Sequence, residues 1–349
     1  MPNDRIILEN PCTYVTIGNM RKYVVLDLEW NQAPRGKELK TMPFEIIEIG
    51  AVRLDEDKNE TDSFDALIKP EVYKTLHGIN SQITGITMED LCGQPNFCSV
   101  YKSFTDWCKN TDTFIFCTWG DMDLTELQRN IRHFKLPGLS NEPLMFLDIQ
   151  KLYSIYKGNA KLKTGLETAV SELDISQDLP FHRAINDVHY TARVFKKISS
   201  PELEKKVSYN LFHTPSDRDH EIHASFDTYS KYVTRAFPDR YGLLKYKDLW
   251  KNECFVCGNR CRTKIDWFSS QSKTFLDLSE CPEHGLQRSV IRLKKAEISG
   301  FYAIKITHSA SDEEIKQMEE KSLACSQKNR SQYERKKHRV QKSNLSNSE

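Results

Sequence analysis

The chain has 349 residues, with 50 Lys and Arg against 49 Asp and Glu, so any surface for a polyanion has to be local. No stretch approaches the roughly 20 apolar residues of a membrane-crossing helix, and the first residues carry Asp4, Arg5 and Glu9 where an export signal would be apolar. A cytoplasmic protein of about two domains is expected, its ten cysteines serving as thiols or metal ligands and not as disulfides.

In chain order, Tyr23-Val-Val-Leu26 is an apolar, β-branched run that reads as a buried strand and ends in Asp27 and Glu29. Strand side chains alternate, so these two acids project from one face with Leu28 on the other. Two carboxylates losing water together need a cation, and oxygen ligands select Mg²⁺ or Mn²⁺. An ordinary solvent-facing strand end is the plainer reading of the pair taken alone. A polar loop, Asn31 to Met42, leads to a long strand from Phe44 to Leu54. A turn at Asp55 to Asn59 and a third strand over Asp62 to Lys69 complete a meander.

Residues 82–109 carry helical patterning through Phe104, Trp107 and Cys108, and residues 114–119 read as a short buried strand. Asp123 to Phe134 is an amphipathic helix whose start offers Asp121 and Asp123, one of them suited to cap it. A fifth strand over Met145 to Ile149, helices near 149–156 and 164–173, and a helix from His182 to Ile198 follow. His182 precedes that last helix and Asp187 lies in its first turns, a spacing that lets loop histidine and helical acid converge. Three strands followed by alternating helix and strand imply a mixed five-stranded sheet flanked by helices.

Asp27-x-Glu29, a later Asp leading a helix, and His182 with Asp187 five residues on resemble the three motifs of DEDDh 3′→5′ exonucleases, and Ile83-Thr84-Gly85-Ile86-Thr87 resembles a further segment of that family. The Eri-type RNA exonucleases and the bacterial sporulation-kinase-pathway inhibitor proteins are the flavour suggested by Asp-Leu-Glu-Trp30 and by Trp119-Gly-Asp-Met-Asp123. The resemblance covers about residues 20–200 and implies a ribonuclease-H-like fold. It implies two Mg²⁺ or Mn²⁺ ions held by Asp27, Glu29, Asp123 and Asp187, with His182 taking the proton of the attacking water. The substrate is then nucleic acid with a free 3′ end, RNA ahead of DNA, released as nucleoside 5′-monophosphates. Trp30, Thr84, Gly85 and Ile86 are the implied nucleic-acid contacts. The family's central Asp precedes apolar residues at the next position and about four on; Asp123 fits through Leu124 and Leu127, and Asp121 is left as cap or supporting group.

Beyond residue 200 aromatics thicken, from Phe226 to Trp250, as a hydrophobic seam or a stacking surface. Cys254-x-x-Cys257-Gly and Cys281-x-x-His284-Gly are two knuckles at the spacing of a zinc ribbon, giving one structural Zn²⁺ with Cys261 as a competing ligand. Arg260, Arg262, Lys264, Lys273, Arg288, Arg292, Lys294 and Lys295 surround them and, with Trp267, Phe268 and Phe275, offer either a single-strand-binding face or a solvated basic one. A capping box at Ser311 to Glu314 opens a helix through Ile315, Met318 and Leu323. The basic residues from Lys321 onward and the polar finish from Ser343 read as a basic, disordered tail.

The expected organisation is an exonuclease domain over 1–200, an aromatic connecting segment over 201–250, a zinc-ribbon-like domain over 251–310 and a basic helix and tail over 311–349. A regulatory protein that keeps the fold and binds a protein or nucleic acid is the alternative function. Filled positions at all five motif residues favour catalysis.

Overall fold

A computed structural model describes residues 22–33, 36–109, 113–159 and 162–327. The expected disordered finish, and all of the tail's basic residues except Lys321, lie outside these. The chain divides into two compact units, residues 1–213 and 214–349.

In the first unit, β1 (Tyr23–Gln32), β2 (Phe44–Leu54) and β3 (Glu60–Leu67) form the antiparallel meander. Next come α1 (Gly78–Thr84), α2 (Met88–Cys92) and α3 (Phe97–Lys109). The parallel part follows: β4 (Ile115–Thr118), α4 (Met122–His133), β5 (Leu144–Asp148) and α5 (Ile149–Tyr156). Finally α6 (Leu166–Glu172), α7 (Ala184–Ile198), α8 (Pro201–Glu204) and β6 (Ser208–Asn210) close the unit.

The sheet order is β3-β2-β1-β4-β5-β6, six strands and not five. The sixth, β6, is three residues long and pairs antiparallel with β5, too short to leave a periodic signal in the sequence. It carries the unit past the expected end at residue 200.

Because β1 sits between two neighbours and has helices on both faces, it is apolar until its last turn. Val24, Leu26 and Leu28 enter one core with Phe97, Phe104 and Cys108 of α3 and Leu124, Leu127 and Ile131 of α4. On the other face Tyr23 meets Phe195 of α7 edge to face, ring centroids 5.1 Å apart. Each such fully buried side chain contributes about 1.5–3 kcal/mol. The same alternation sends Asp27 and Glu29 to the α7 side.

The second unit is one antiparallel sheet of β7 (Ile222–Phe226), β8 (Tyr229–Val233), β9 (Arg262–Gln271), β10 (Thr274–Cys281), β11 (Gly285–Lys295) and β12 (Phe301–Ser309), in the order β7-β8-β12-β11-β10-β9. A short helix, α9 (Arg240–Leu244), and a 3₁₀ turn at Lys247–Trp250 link β8 to the first knuckle. A last helix, α10 (312–327), lays Ile315 and Met318 against Leu276, Leu278 and Val290. Residues 201–250 are therefore not a linker: β7 and β8 belong to the sheet, and Leu243 and Leu249 are buried in its core with Ile291, Leu293 and Ala303. Their short polar–aromatic alternation is what a strand with one wet face looks like. Among the described residues no helix is long and apolar enough to cross a membrane.

Candidate active site and a Cys/His metal cluster

The acids gather where β1 ends. Carboxylate oxygens of Asp27, Glu29 and Asp187 lie within 4.8 Å of one another. Asp123, buried in the first turn of α4, stands outside that trio but accepts the backbone N–H of Leu28 and adds to the repulsion felt by Asp27. Asp121 holds the N-cap position of α4 yet its exposed carboxylate makes no cap bond. Its carbonyl accepts from Thr125 Oγ1 and Asn210 Nδ2. Of the two candidates, Asp123 is the one turned to the trio.

The placement of α7 depends on residues that no motif flagged. Gly50 is the register partner of Asp27, and a Cβ there would lie 2.3–2.6 Å from backbone atoms of Ala184 and Ile185. Only glycine lets the helix start come this close to β2. Two residues back, fully buried Glu48 takes Arg183 Nε at 3.1 Å and Nη2 at 2.9 Å on one oxygen, and the Ala184 N–H at 3.2 Å on the other. A forked guanidinium fits a carboxylate in this way better than an ammonium would. The clamp fixes the residue before it, His182, at φ +65°, a left-handed conformation that side chains adopt at a cost. The His182 N–H donates to Asp187 Oδ2 at 3.1 Å, and its ring is exposed at the rim. A buried charge inside Glu-Ile-Ile-Glu-Ile-Gly50 was the available sequence signal.

Electrostatically the cluster is short of positive charge. Burial, then Asp123, Asp187 and Glu29, push the Asp27 carboxyl well above its ordinary range. Burial and Asp187 push Glu29 up to about 8, and burial pushes Asp123 up to about 7 and Asp187 up to about 6. Arg183, a nearby guanidinium, is committed to Glu48. Asp187 Oδ1 is buried with no hydrogen-bond partner. A set of hard oxygen donors, mutually repelling and partly orphaned, fits divalent cations of the Mg²⁺ type.

The implied nucleic-acid contacts divide. Trp30 leans on Phe44, centroids 5.4 Å apart. Thr84 and Ile86 face inward, Ile86 packing on Ile47 and Leu91. Gly85, at φ +70°, is the exposed part of the turn. The segment leading into α1 is held by two buried side chains: Glu45 accepts the N–H groups of Glu71, Val72 and Tyr73, and Asn31 bonds Tyr73, Thr75 and His77.

The second cluster is sulfur and nitrogen. Ligand atoms of Cys254, Cys257, Cys281 and His284 lie within 4.8 Å of one another. His284 turns Nδ1 inward, 3.6 Å from Cys254 Sγ and 3.5 Å from Cys281 Sγ. Gly258 and Gly285, at φ +73° and +74°, let both knuckles turn. Burial opposes ionisation of Cys254, but N–H donors from Cys257, Gln287 and Val256 outweigh it and hold the thiol down to about 6. Cys254 is thus ready as thiolate, the form that binds metal. Cys261 is a neighbour of a different kind: burial first, then the other sulfurs, push it up to about 12, and its Sγ turns to the Asn259 carbonyl at 3.8 Å. Three thiol sulfurs and one imidazole nitrogen, four ligands in all, fit a structural zinc ion.

A mixed sheet of this order, with acids gathered beside the end of its central strand, defines a domain of the ribonuclease-H-like class. Residues 24–195, just under half of the chain, match the Exonuclease family model RNase_T. The 3′-5′ exoribonuclease 1 of Rattus norvegicus is 24% identical over 176 residues, 48% of this chain and 50% of that protein. The PolC-type DNA polymerase III of Streptococcus pyogenes serotype M1 is 27% identical over 196 residues, 56% of this chain and 12% of that protein. The chain thus spans half or less of the length of these curated relatives. Among solved structures, a full-length 3′-exonuclease is 21% identical, covering 51% of this chain and 81% of that one, with a TM-score of 0.46. The nuclease domain of 3′hExo, a DEDDh family member bound to rAMP, is 22% identical with a TM-score of 0.45, covering 52% and 92%.

Proposed function

We propose that the protein is a metal-dependent 3′→5′ exonuclease that removes nucleoside 5′-monophosphates from single-stranded nucleic acid, RNA ahead of DNA. The observation that carries this is the charge-deficient group of Asp27, Glu29 and Asp187 oxygens inside an exonuclease-family domain. In this reading Asp27, Glu29 and Asp187, with Asp123 beside them, would hold two Mg²⁺ or Mn²⁺ ions. The ions, when bound, supply the positive charge that phosphodiester hydrolysis requires. His182, exposed at the rim and tethered to Asp187 through its backbone, takes the attacking water's proton on its ring. The Glu48–Arg183 clamp orients this residue. Trp30 and the exposed Gly85 turn position the terminal nucleotide. The Cys/His cluster holds one zinc ion that organises the second unit and takes no part in the chemistry.

The preference for RNA rests on the likeness to the exoribonuclease; the polymerase relatives argue for DNA. Matched 3′-labelled RNA and DNA strands with Mg²⁺, Mn²⁺ or EDTA test both points. Labelled mononucleotide should appear with metal, faster from RNA, and vanish in EDTA and in Glu29→Ala. Equal or faster release from DNA would remove the preference, and metal-independent release would remove the mechanism.

A further inference from the structure

We propose that the second unit carries its own single-strand-binding groove, beside the first knuckle, in which Lys247, Arg260 and Arg262 take the phosphates and Trp267 offers its indole to a base. The groove encloses about 760 Å³. The basic residues around the knuckles look alike in sequence, and the structure separates them. Arg288 is held by Glu314 at 2.7 Å and Lys264 by Glu280 at 2.8 Å. Lys251, though in the groove, is held by Asp248 at 2.8 Å. Phe275 is packed edge to face on Trp250, centroids 5.3 Å apart, and Phe268 lies on the opposite face beside Met318.

Lys273, Arg292, Lys294 and Lys295 do not line the groove, whereas Lys247, Arg260 and Arg262 do. All three are exposed and make no ion pair within 4 Å among the described residues, although Glu280, held by Lys264, also feels the charge of Arg262. Two carboxylates, Glu253 and Asp266, share the lining, so positive charge is in excess. The indole is fixed in place, its Nε1 donating to the Trp250 carbonyl at 3.2 Å. Gly258 adds open space in place of a side chain. Converging cations beside an aromatic ring are the pattern by which single strands are bound without sequence preference. An acidic peptide would satisfy the cations and leave the ring unused.

The choice of ligand rests on the exonuclease reading, but its test does not need cleavage. Binding of a fluorescent 12-nucleotide single strand to the full chain, measured by anisotropy in EDTA with the zinc content checked, is compared with the Arg260→Gln/Arg262→Gln double variant. Both positions are exposed, so folding should persist. Affinity should fall about tenfold or more, and the slope of log affinity against log salt should become shallower by about 1.4, near 0.7 for each lost phosphate contact. Mononucleotide release from a dinucleotide with Mn²⁺ should be unchanged. Unaltered affinity and slope in the double variant would overturn the groove, as would competition by poly-glutamate equal to that by the oligonucleotide. A wild-type protein that binds in EDTA but never cleaves would overturn the exonuclease reading and leave the groove standing.

Discussion

The two metal-ligand clusters are built on opposite plans. The acid cluster draws on β1, α4 and α7, so its members are up to 160 positions apart and meet only when the first unit has folded. The Cys/His cluster draws on two turns within 31 residues, and its geometry is nearly local. One offers repelling, half-buried or buried oxygens; the other is a set of four sulfur and nitrogen ligands, two of them exposed. Metal at the first should serve chemistry and cost little fold when removed, whereas metal at the second should be part of the fold.

The sharpest way to break this contrast is to remove ligands from each. Asp27→Asn and Asp123→Asn should each lower nucleotide release by about 10³-fold or more with no loss of thermal stability, since each relieves repulsion. Asp121→Asn should stay near wild type. The reverse ranking of Asp121 and Asp123 in a rate assay would contradict the site drawn here.

Cys281→Ser should do the opposite. It should abolish zinc binding and unfold the knuckle end of the second unit, seen as lost amide-exchange protection over 250–295, while short oligonucleotides are still cut. Cys261→Ser should keep the zinc; a protein that loses it would show that the ligand set is wrong.

A smaller effect tests what positions α7. Gly50→Ala places a Cβ against the backbone of Ala184 and Ile185. The helix has to shift, at about 1–3 kcal/mol of stability, and displacement of Asp187 should cost up to about 100-fold in rate. Unchanged kinetics in a folded Gly50→Ala protein would mean that the close approach does not matter.

These effects bear on what could be read from sequence. The common face of Asp27 and Glu29 and the pairing of the two knuckles could be read because strand alternation and ligand spacing are local rules, whereas Asp187 was joined to them only by the resemblance to the DEDDh motifs. The sheet of the second unit was not legible: β7 and β8 are five residues each and looked like a connecting segment. Nor was the Glu48–Arg183 clamp, whose partners lie 135 positions apart. Pairings of that separation leave no period in the chain.

A linkage between pH and metal tests the acid cluster without any substitution. Asp187, Asp123 and Glu29 titrate near 6, 7 and 8 in the folded protein without metal, above the ordinary carboxylate range. The native state then holds more protons than the unfolded one, so stability of the metal-free first unit should decline as pH rises from about 5 to 8. Mn²⁺ at a hundredfold excess over its Kd should add about 2.7 kcal/mol, and at one fixed Mn²⁺ concentration the gain should be larger at pH 8 than at pH 5.5. A melting temperature that rises with pH in metal-free buffer would contradict this.

The central claim is that one cluster is an exchangeable catalytic centre and the other a fixed structural one. The direct measurement is elemental analysis of the protein after dialysis into metal-free buffer, paired with nucleotide release before and after Mn²⁺ is added. The account predicts one zinc retained per chain, no retained magnesium or manganese, and activity that appears only with Mn²⁺. Full activity without added metal, or a folded second unit that holds no zinc, would contradict it.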